Sequence, residues 1–213
     1  MENKTVVEYV WIDGNNCLRG KTRVLNERIQ STDKESLHLI PNWNYDGSST
    51  GQAKGTDSEV TIIPRAMFRN PFLRNGLLVM CDTYDSKGIP LPSNTRYIAN
   101  EIFNKNLDEK PWFGLEQEYF IHDEHFYNIP CYSEPQGKYY CGVGNENAIY
   151  RKIAELHLKH CISAGINIAG MNAEVAPQQW EYQIGICEGI EAGDHLWMAR
   201  YILERIGEEY YVD

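Results

Sequence analysis

The chain has 213 residues, 42% apolar and 23% charged, proportions that suffice for a buried core and exclude intrinsic disorder. Lys and Arg number 20 against 30 Asp and Glu, and the formal charge of −10 argues against nucleic acid or an anionic membrane as the main partner. No apolar run approaches the ~20 residues of a membrane span, and the first residues carry no signal-like apolar core. The six cysteines (Cys17, Cys81, Cys131, Cys141, Cys161, Cys187) contain no C-x-x-C pair, so the expectation is a soluble cytoplasmic protein with reduced thiols.

In chain order, Val6 to Ile12 predicts a strand ending at Asp13-Gly14, and Leu18 to Leu25 its returning partner. From Trp43 the chain becomes loop-like. The stretch Asp46-Gly-Ser-Ser-Thr-Gly-Gln52 lacks the Gly-Lys-[Ser/Thr] of a P-loop and reads as a flexible turn. Val60 to Pro64 and Leu77 to Asp82 are two further strands. Residues 1–86 therefore form a small sheet-rich domain, Gly88-Ile-Pro-Leu-Pro92 a linker, and residues 87–213 a second domain.

In the second domain, Thr95 to Lys105 predicts a helix with Ile98 and Ile102 on one face. A central strand with Glu116 and Glu118 follows, then an irregular stretch from His122 to Gly144. Ala148 to Ala164 is amphipathic, with Ile149, Ile153, Leu156, His160 and Ala164 in one stripe, His160 as a core histidine and Gly165 as C-cap. Asn172 to Ile186 predicts a hairpin. Asp194 is the expected N-cap of a last helix to about Glu209, with Leu196, Ala199, Leu203 and Ile206 inward. Tyr210 to Val212 reads as the start of another strand, so the sequence reads as cut. The pairs His122/His125 and His157/His160 lack the cysteine or His-Glu-x-x-His context of a zinc site.

The chemistry is concentrated in carboxylates. Strand alternation puts Glu116 and Glu118 on one face, in a segment apolar enough to be partly buried. If Val175 pairs with Trp180, Glu174 lies opposite Glu181, with Gln183 on the same face. Each pair taken alone also reads as a solvated edge, the hairpin pair more so than Glu116 and Glu118. Two such pairs on apolar strands favour a hard-oxygen site for Mg²⁺ or Mn²⁺, which points to phosphoryl chemistry without naming a substrate.

The motifs then resemble one family. Tyr9-Val-Trp-Ile-Asp-Gly, Trp43-Asn-Tyr-Asp-Gly-Ser-Ser-Thr-Gly-Gln, Asp57-Ser-Glu, Pro71-Phe, Trp112-Phe-Gly-Leu-Glu-Gln-Glu-Tyr, Gln136-Gly-Lys-Tyr-Tyr-Cys-Gly-Val-Gly, Ala169-Gly-Met-Asn-Ala-Glu-Val, Gln179-Trp-Glu-Tyr-Gln-Ile-Gly and Asp194-His-Leu-Trp-Met-Ala-Arg follow one another as in glutamine synthetase of the eukaryotic type. The resemblance implies an α+β fold: a β-grasp-like domain over 1–86, then an incomplete catalytic domain with a curved antiparallel sheet over 87–213. It implies ligation of ammonium to L-glutamate with ATP, through an acyl phosphate and with two divalent ions. By resemblance Glu118, Glu174 and Glu181 would hold one ion and Glu116 the other, while Glu181, Gln183 and Ile186 would lie along the nucleotide. Asp46 would bind ammonium and take its proton, with Ser49 beside it and Tyr140 lining the pocket. A homo-oligomeric ring with sites between subunits is also implied.

The family's later motifs are absent, among them the Asn-Gly-Ala-Gly-x-His stretch and the arginines that grip ATP and glutamate. The expectation is therefore a chain without stand-alone activity. The alternative is a catalytically dead relative serving as an interaction or regulatory subunit. A solitary Mg²⁺-dependent phosphohydrolase built on the four glutamates is a third reading.

Overall fold

A computed structural model describes residues 3–122 and 137–213; His125, Cys131, Gln136 and most of the irregular stretch around them lie outside the described residues. Chain contacts gather the protein into two compact units, Met1–Lys110 and Pro111–Asp213. Each unit has a sheet of its own, and together they make a mixed α+β architecture.

In the first unit, β1 (Thr5–Ile12), β2 (Leu18–Leu25), β3 (Trp43–Asp46), β4 (Glu59–Arg69) and β5 (Gly76–Tyr84) form one sheet in the order β2-β1-β5-β4-β3. The pairing of β1 with β5 is parallel and the others are antiparallel. Alternation sends Val7, Tyr9 and Trp11 of β1 to one face, where they meet Ile62, Leu77, Val79 and Cys81. Strand β5 is buried along its whole length, as a central strand must be. Pro64 is tolerated inside β4 because the ladder shifts register between Pro64 and Ala66, where the missing N–H costs no bond. Asn94 accepts from the Tyr97 N–H (3.1 Å) and caps α1 (Thr95–Phe103).

In the second unit, β6 (Trp112–Phe120), β7 (Ile168–Ala173) and β8 (Gln179–Glu188) form an antiparallel sheet in the order β6-β8-β7. Helices α2 (Arg151–Ala164) and α3 (Glu191–Tyr210) pack with this sheet. Trp180, Tyr182 and Ile184 of β8 are almost wholly buried, with Met198, Ala199, Ile202 and Ile206 of α3 and Ile153 and Ala154 of α2. His157 lies beside Tyr182 with ring centroids 4.7 Å apart, and its Nε2 donates to the Ala199 carbonyl at 2.9 Å.

Several expectations need correction. Trp43 to Asp46 is a strand, because its side chains alternate against β4 and carry Trp43 and Tyr45 to the core. Strand β6 is an edge of its described sheet, with β8 in the centre, and Glu116 and Glu118 are exposed. The buried face of α2 is Ile153, Ala154, His157, Cys161 and Ala164, so His157 is the core histidine and His160 is only half-buried. Helix α3 begins at Glu191, which makes Asp194 a buried residue of its first turn, and it buries Met198 and Ile202 where Leu196 and Leu203 were expected. It also runs through Tyr210, closing on Tyr211 in a left-handed conformation, so Tyr210 to Val212 is no strand. The Asp213 N–H instead donates to the His122 carbonyl (2.8 Å). Ile98 and Ile102 share a face as expected, yet stand 56% and 57% exposed.

Burial drives the His157 pKa down to about 4, with His160 nearby adding to the shift against the Ala199 bond. The neutral ring is favoured in the fold, while the unfolded chain takes a proton near pH 6.5. Stability is thus fully present above that value and falls as pH drops from 6.5 towards 4, by up to ~3 kcal/mol. Urea midpoints measured from pH 7 to 4.5 should show this decline, and His157→Gln should flatten it; equal slopes in the two proteins would refute the assignment. The Tyr182 hydroxyl is buried with no hydrogen-bond partner among the described residues, so Tyr182→Phe should leave stability unchanged or raise it by about 1 kcal/mol. A clear fall in the urea midpoint would show that the hydroxyl is bonded.

Candidate functional site

Because β8 lies between β6 and β7, Glu118 and Glu181 meet on one face, with Glu174 one residue past the end of β7. Glu181 is directly opposite Glu118 on one side and Asn172 on the other. Gln183 is likewise flanked by Glu116 and Gly170. Glu174 follows Asn172 by two residues, and its N–H donates to the Gln179 carbonyl at 2.9 Å. The hairpin register therefore differs by two residues from the one expected. Trp180 pairs with Ala173, the loop is Val175–Gln178 with Gln178 in a left-handed conformation (φ 65°), and Glu174 is a diagonal neighbour of Glu181. A shift of two preserves the face, so the glutamates still converge.

Their surroundings differ. Glu174 and Glu181 are 9% and 7% exposed, whereas Glu118 sits on the open edge strand. Gln179 Nε2 donates to Glu118 Oε2 at 2.6 Å, and Asn172 Nδ2 to Glu174 Oε1 at 2.9 Å. Gln183 Nε2 donates both to Glu181 Oε1 and to Asn172 Oδ1, the latter at 2.8 Å. Burial raises the Glu174 pKa against its bonds from Val175 and Asn172, and the Glu181 carboxylate adds to the rise. Among the described residues no group of three or more His, Cys, Asp or Glu side chains is gathered closely enough to hold a metal ion as it stands. The donor type nevertheless suits a hard divalent cation, which would offset both the burial and the neighbouring Glu181 charge that raise the Glu174 pKa.

Tyr140 reaches the same neighbourhood because the Cys141 N–H donates to the Ala173 carbonyl of β7 at 2.9 Å. Its phenol is 55% exposed, and its pKa is pushed up, first by the Cys141 thiol and then by Glu174, with burial and Glu181 adding to it. Gln183 is half-buried and Ile186 is 65% exposed at the far end of β8.

Asp46 and Ser49 belong to the first unit, and their turn is built rather than flexible. Asp46 caps a 3₁₀ turn over Gly47–Thr50. Its Oδ1 accepts from the Ser48 N–H (3.0 Å) and hydroxyl (2.6 Å), and its Oδ2 from the Ser49 hydroxyl (2.8 Å). These bonds, the Ser48 and Ser49 hydroxyls foremost, lower the carboxyl pKa to about 2. Gln52 locks the turn to the rest of its unit. Its Oε1 accepts from Tyr45 (2.5 Å) and Thr50 (2.9 Å), and its Nε2 donates to the Ile12 carbonyl (3.1 Å) and Ser93 (2.9 Å). Gly47 is required there, because a Cβ would lie 2.4 Å from a Val60 methyl.

With this geometry in view, comparison with known proteins is decisive about ancestry. A protein of Acanthamoeba polyphaga mimivirus provisionally named a glutamine synthetase is 54% identical over 211 residues, covering 97% of this chain and 59% of its own. The chloroplastic glutamine synthetase of Brassica napus is 50% identical over 216 residues, 97% of this chain and 49% of its own. This chain is a homologue of the glutamine synthetases. It spans about half the length of the curated relatives it matches, 66% in the nodule isozyme of Lupinus angustifolius. The crystal structure of a novel glutamine synthase homologue superposes with a TM-score of 0.67 at 14% identity, covering all of this chain and 50% of its own, which shows the shared fold. No family model matches the chain. The relatives include cytosolic and chloroplastic enzymes, and among the described residues of this chain no helix is long and apolar enough to cross a membrane.

The amides at Asn172, Gln179 and Gln52 and the glycine at 170 were missed in the sequence. The available signal was the recurrence of Asn and Gln at two-residue spacing from the glutamates, which places them on the same strand face. Gln52→Ala should cost ~1–3 kcal/mol, since it strands the partners of four hydrogen bonds, and should speed amide exchange at Ser48. An unchanged urea midpoint together with unchanged exchange would show that the turn holds itself.

Proposed function

We propose that this chain carries part of a site for ATP-dependent ligation of ammonia to L-glutamate, giving L-glutamine. The reading rests on one observation: Glu118 of β6, Glu181 of β8 and Glu174, one residue past β7, lie on one sheet face in a glutamine synthetase homologue. In this reading those three hold one Mg²⁺ or Mn²⁺, and Glu116 contributes to a second. The ions supply charge neutralisation for the transferring phosphoryl oxygens. Glu181, Gln183 and the backbone to Ile186 lie along the nucleotide.

Asp46 is the ammonium-binding carboxylate, with Ser49 holding it and Tyr140 lining the pocket. A carboxylate with a pKa of about 2 stays anionic at any working pH, so holding the cation is its first task and accepting a proton its harder one. Work in a homo-oligomeric ring, in the cytosol, completes the proposal. The free cysteines Cys17, Cys81, Cys141, Cys161 and Cys187 fit that compartment.

A second reading, a silent relative that acts as an interaction or regulatory subunit, draws on Glu116. It is exposed, faces Gln183 and has no second carboxylate opposite it. Two measurements on the purified chain test the proposal. Calorimetric titration should detect Mn²⁺ binding that Glu181→Gln weakens tenfold or more, and identical isotherms would overturn the metal assignment. Incubation with ATP, glutamate, ammonium and Mn²⁺ should yield no glutamine from the 213-residue chain alone; product would show that Glu116 finds its partners within it.

A further inference from the structure

Every described amide on the carboxylate face spends its donor on a glutamate. Gln179 is 9% exposed; its Oε1 accepts from the Ala176 N–H (3.1 Å), which fixes the amide so that Nε2 meets Glu118 Oε2 (2.6 Å). Asn172 is fixed in the same way. Its Oδ1 accepts from Gln183 Nε2 (2.8 Å), so its Nδ2 is left to donate to Glu174 Oε1 (2.9 Å). The same Gln183 Nε2 also holds Glu181 Oε1. The amide orientations are therefore set by the network and admit one consistent arrangement.

Room for this relay is provided at Gly170, directly across from Gln183. A Cβ there would lie 2.8 Å from Gln183 Oε1, the movable end of a side chain, with no backbone atom within 4 Å. The glycine is not demanded by its own conformation, since it does not have a positive φ. It is demanded by the amide that lies over it.

We infer that Asn172 and Gln179 are positioning residues for the three glutamates, with Gly170 as the gap that lets Gln183 complete the relay. Each amide engages one oxygen of a carboxylate and so limits its rotation. Glu174 Oε2 accepts from the Val175 N–H at 3.2 Å. Without these donors, three neighbouring anions would splay apart by mutual repulsion. Hydrogen-bonded partners that orient ligating carboxylates typically govern metal affinity by about 10–100-fold. The inference rests on the metal reading proposed above, and its test separates the two.

The experiment is Mn²⁺ titration of the purified chain, followed by calorimetry and by the electron paramagnetic resonance line shape of bound Mn²⁺. Asn172→Leu and Gln179→Leu should each weaken binding about 10- to 100-fold and alter the line shape. Gly170→Ala should do so while keeping the wild-type urea midpoint, because the added methyl displaces only the Gln183 side chain. Gln117→Ala, on the opposite face where Gln117 accepts from Arg200 (2.8 Å), should lower stability and leave Mn²⁺ affinity unchanged. If Glu181→Gln weakens binding but the Asn172, Gln179 and Gly170 variants bind as wild type, the positioning role is overturned and the metal site stands. If Glu181→Gln also binds as wild type, the metal reading itself falls. Should a leucine variant fail to fold, Gly170→Ala decides the matter.

Discussion

The second unit depends on the two-residue alternation of β8. One face of that strand carries Trp180, Tyr182 and Ile184, all nearly fully buried. The other carries Gln179, Glu181 and Gln183. A slip of one residue would bury two amides and a carboxylate among aromatic rings and expose the largest core side chains. Burial of Trp180 and Tyr182 with α2 and α3 therefore fixes the direction of Glu181 as firmly as any contact Glu181 itself makes. The strands on either side inherit their register from β8, and so do Glu118, Asn172 and Glu174.

Two ways of stabilising anions are set side by side in this protein. Asp46 is held by hydroxyl and N–H donors from the next three residues, so its geometry is local and its pKa falls. Of the three glutamates, Glu118 draws its donor from the neighbouring strand, Gln179 lying 61 residues away, while Glu174 and Glu181 are each held by an amide two residues off, Asn172 and Gln183. Burial raises the Glu174 pKa, and the nearby Glu181 carboxylate adds to the rise. The first arrangement suits a carboxylate that must remain charged. The second leaves an excess of negative charge that a cation can offset.

The same contrast explains what could be read from the sequence. The first hairpin was legible to its residue bounds at Leu18 and Leu25, because strand alternation and turn residues are local signals. The convergence of Glu118, Glu174 and Glu181 was legible as a face, since that needs only the period of two. The cross-strand register was not: a four-residue loop fits the hairpin at either of two positions, and the choice turns on Gln178 accepting a left-handed conformation. Which histidine of α2 is buried was likewise hidden. His157 and His160 lie three residues apart, and only packing with Ala199 and Tyr182 selects the first. The Asp46 turn read as flexible because its composition is that of any loop, while the residue that pins it, Gln52, makes bonds 40 and 41 residues distant.

The position of β6 at an edge has an electrostatic consequence. Glu181 and Glu174 sit where water is largely excluded, but Glu118, directly opposite Glu181, faces solvent. Attraction between a cation and a carboxylate grows steeply as the local dielectric falls. Anything that covers the β6 edge would thus strengthen the contribution of Glu118 more than that of its two partners, and would raise the repulsion among all three while no cation is bound. Trp112 and Phe113 at the start of the same strand are 71% and 37% exposed, so burial of that edge would also be favoured by apolar contact. In the proposed metal reading, covering the edge and loading the ion would be coupled: each would lower the cost of the other, because the cation removes the charge that opposes burial and burial removes the water that weakens the cation's hold.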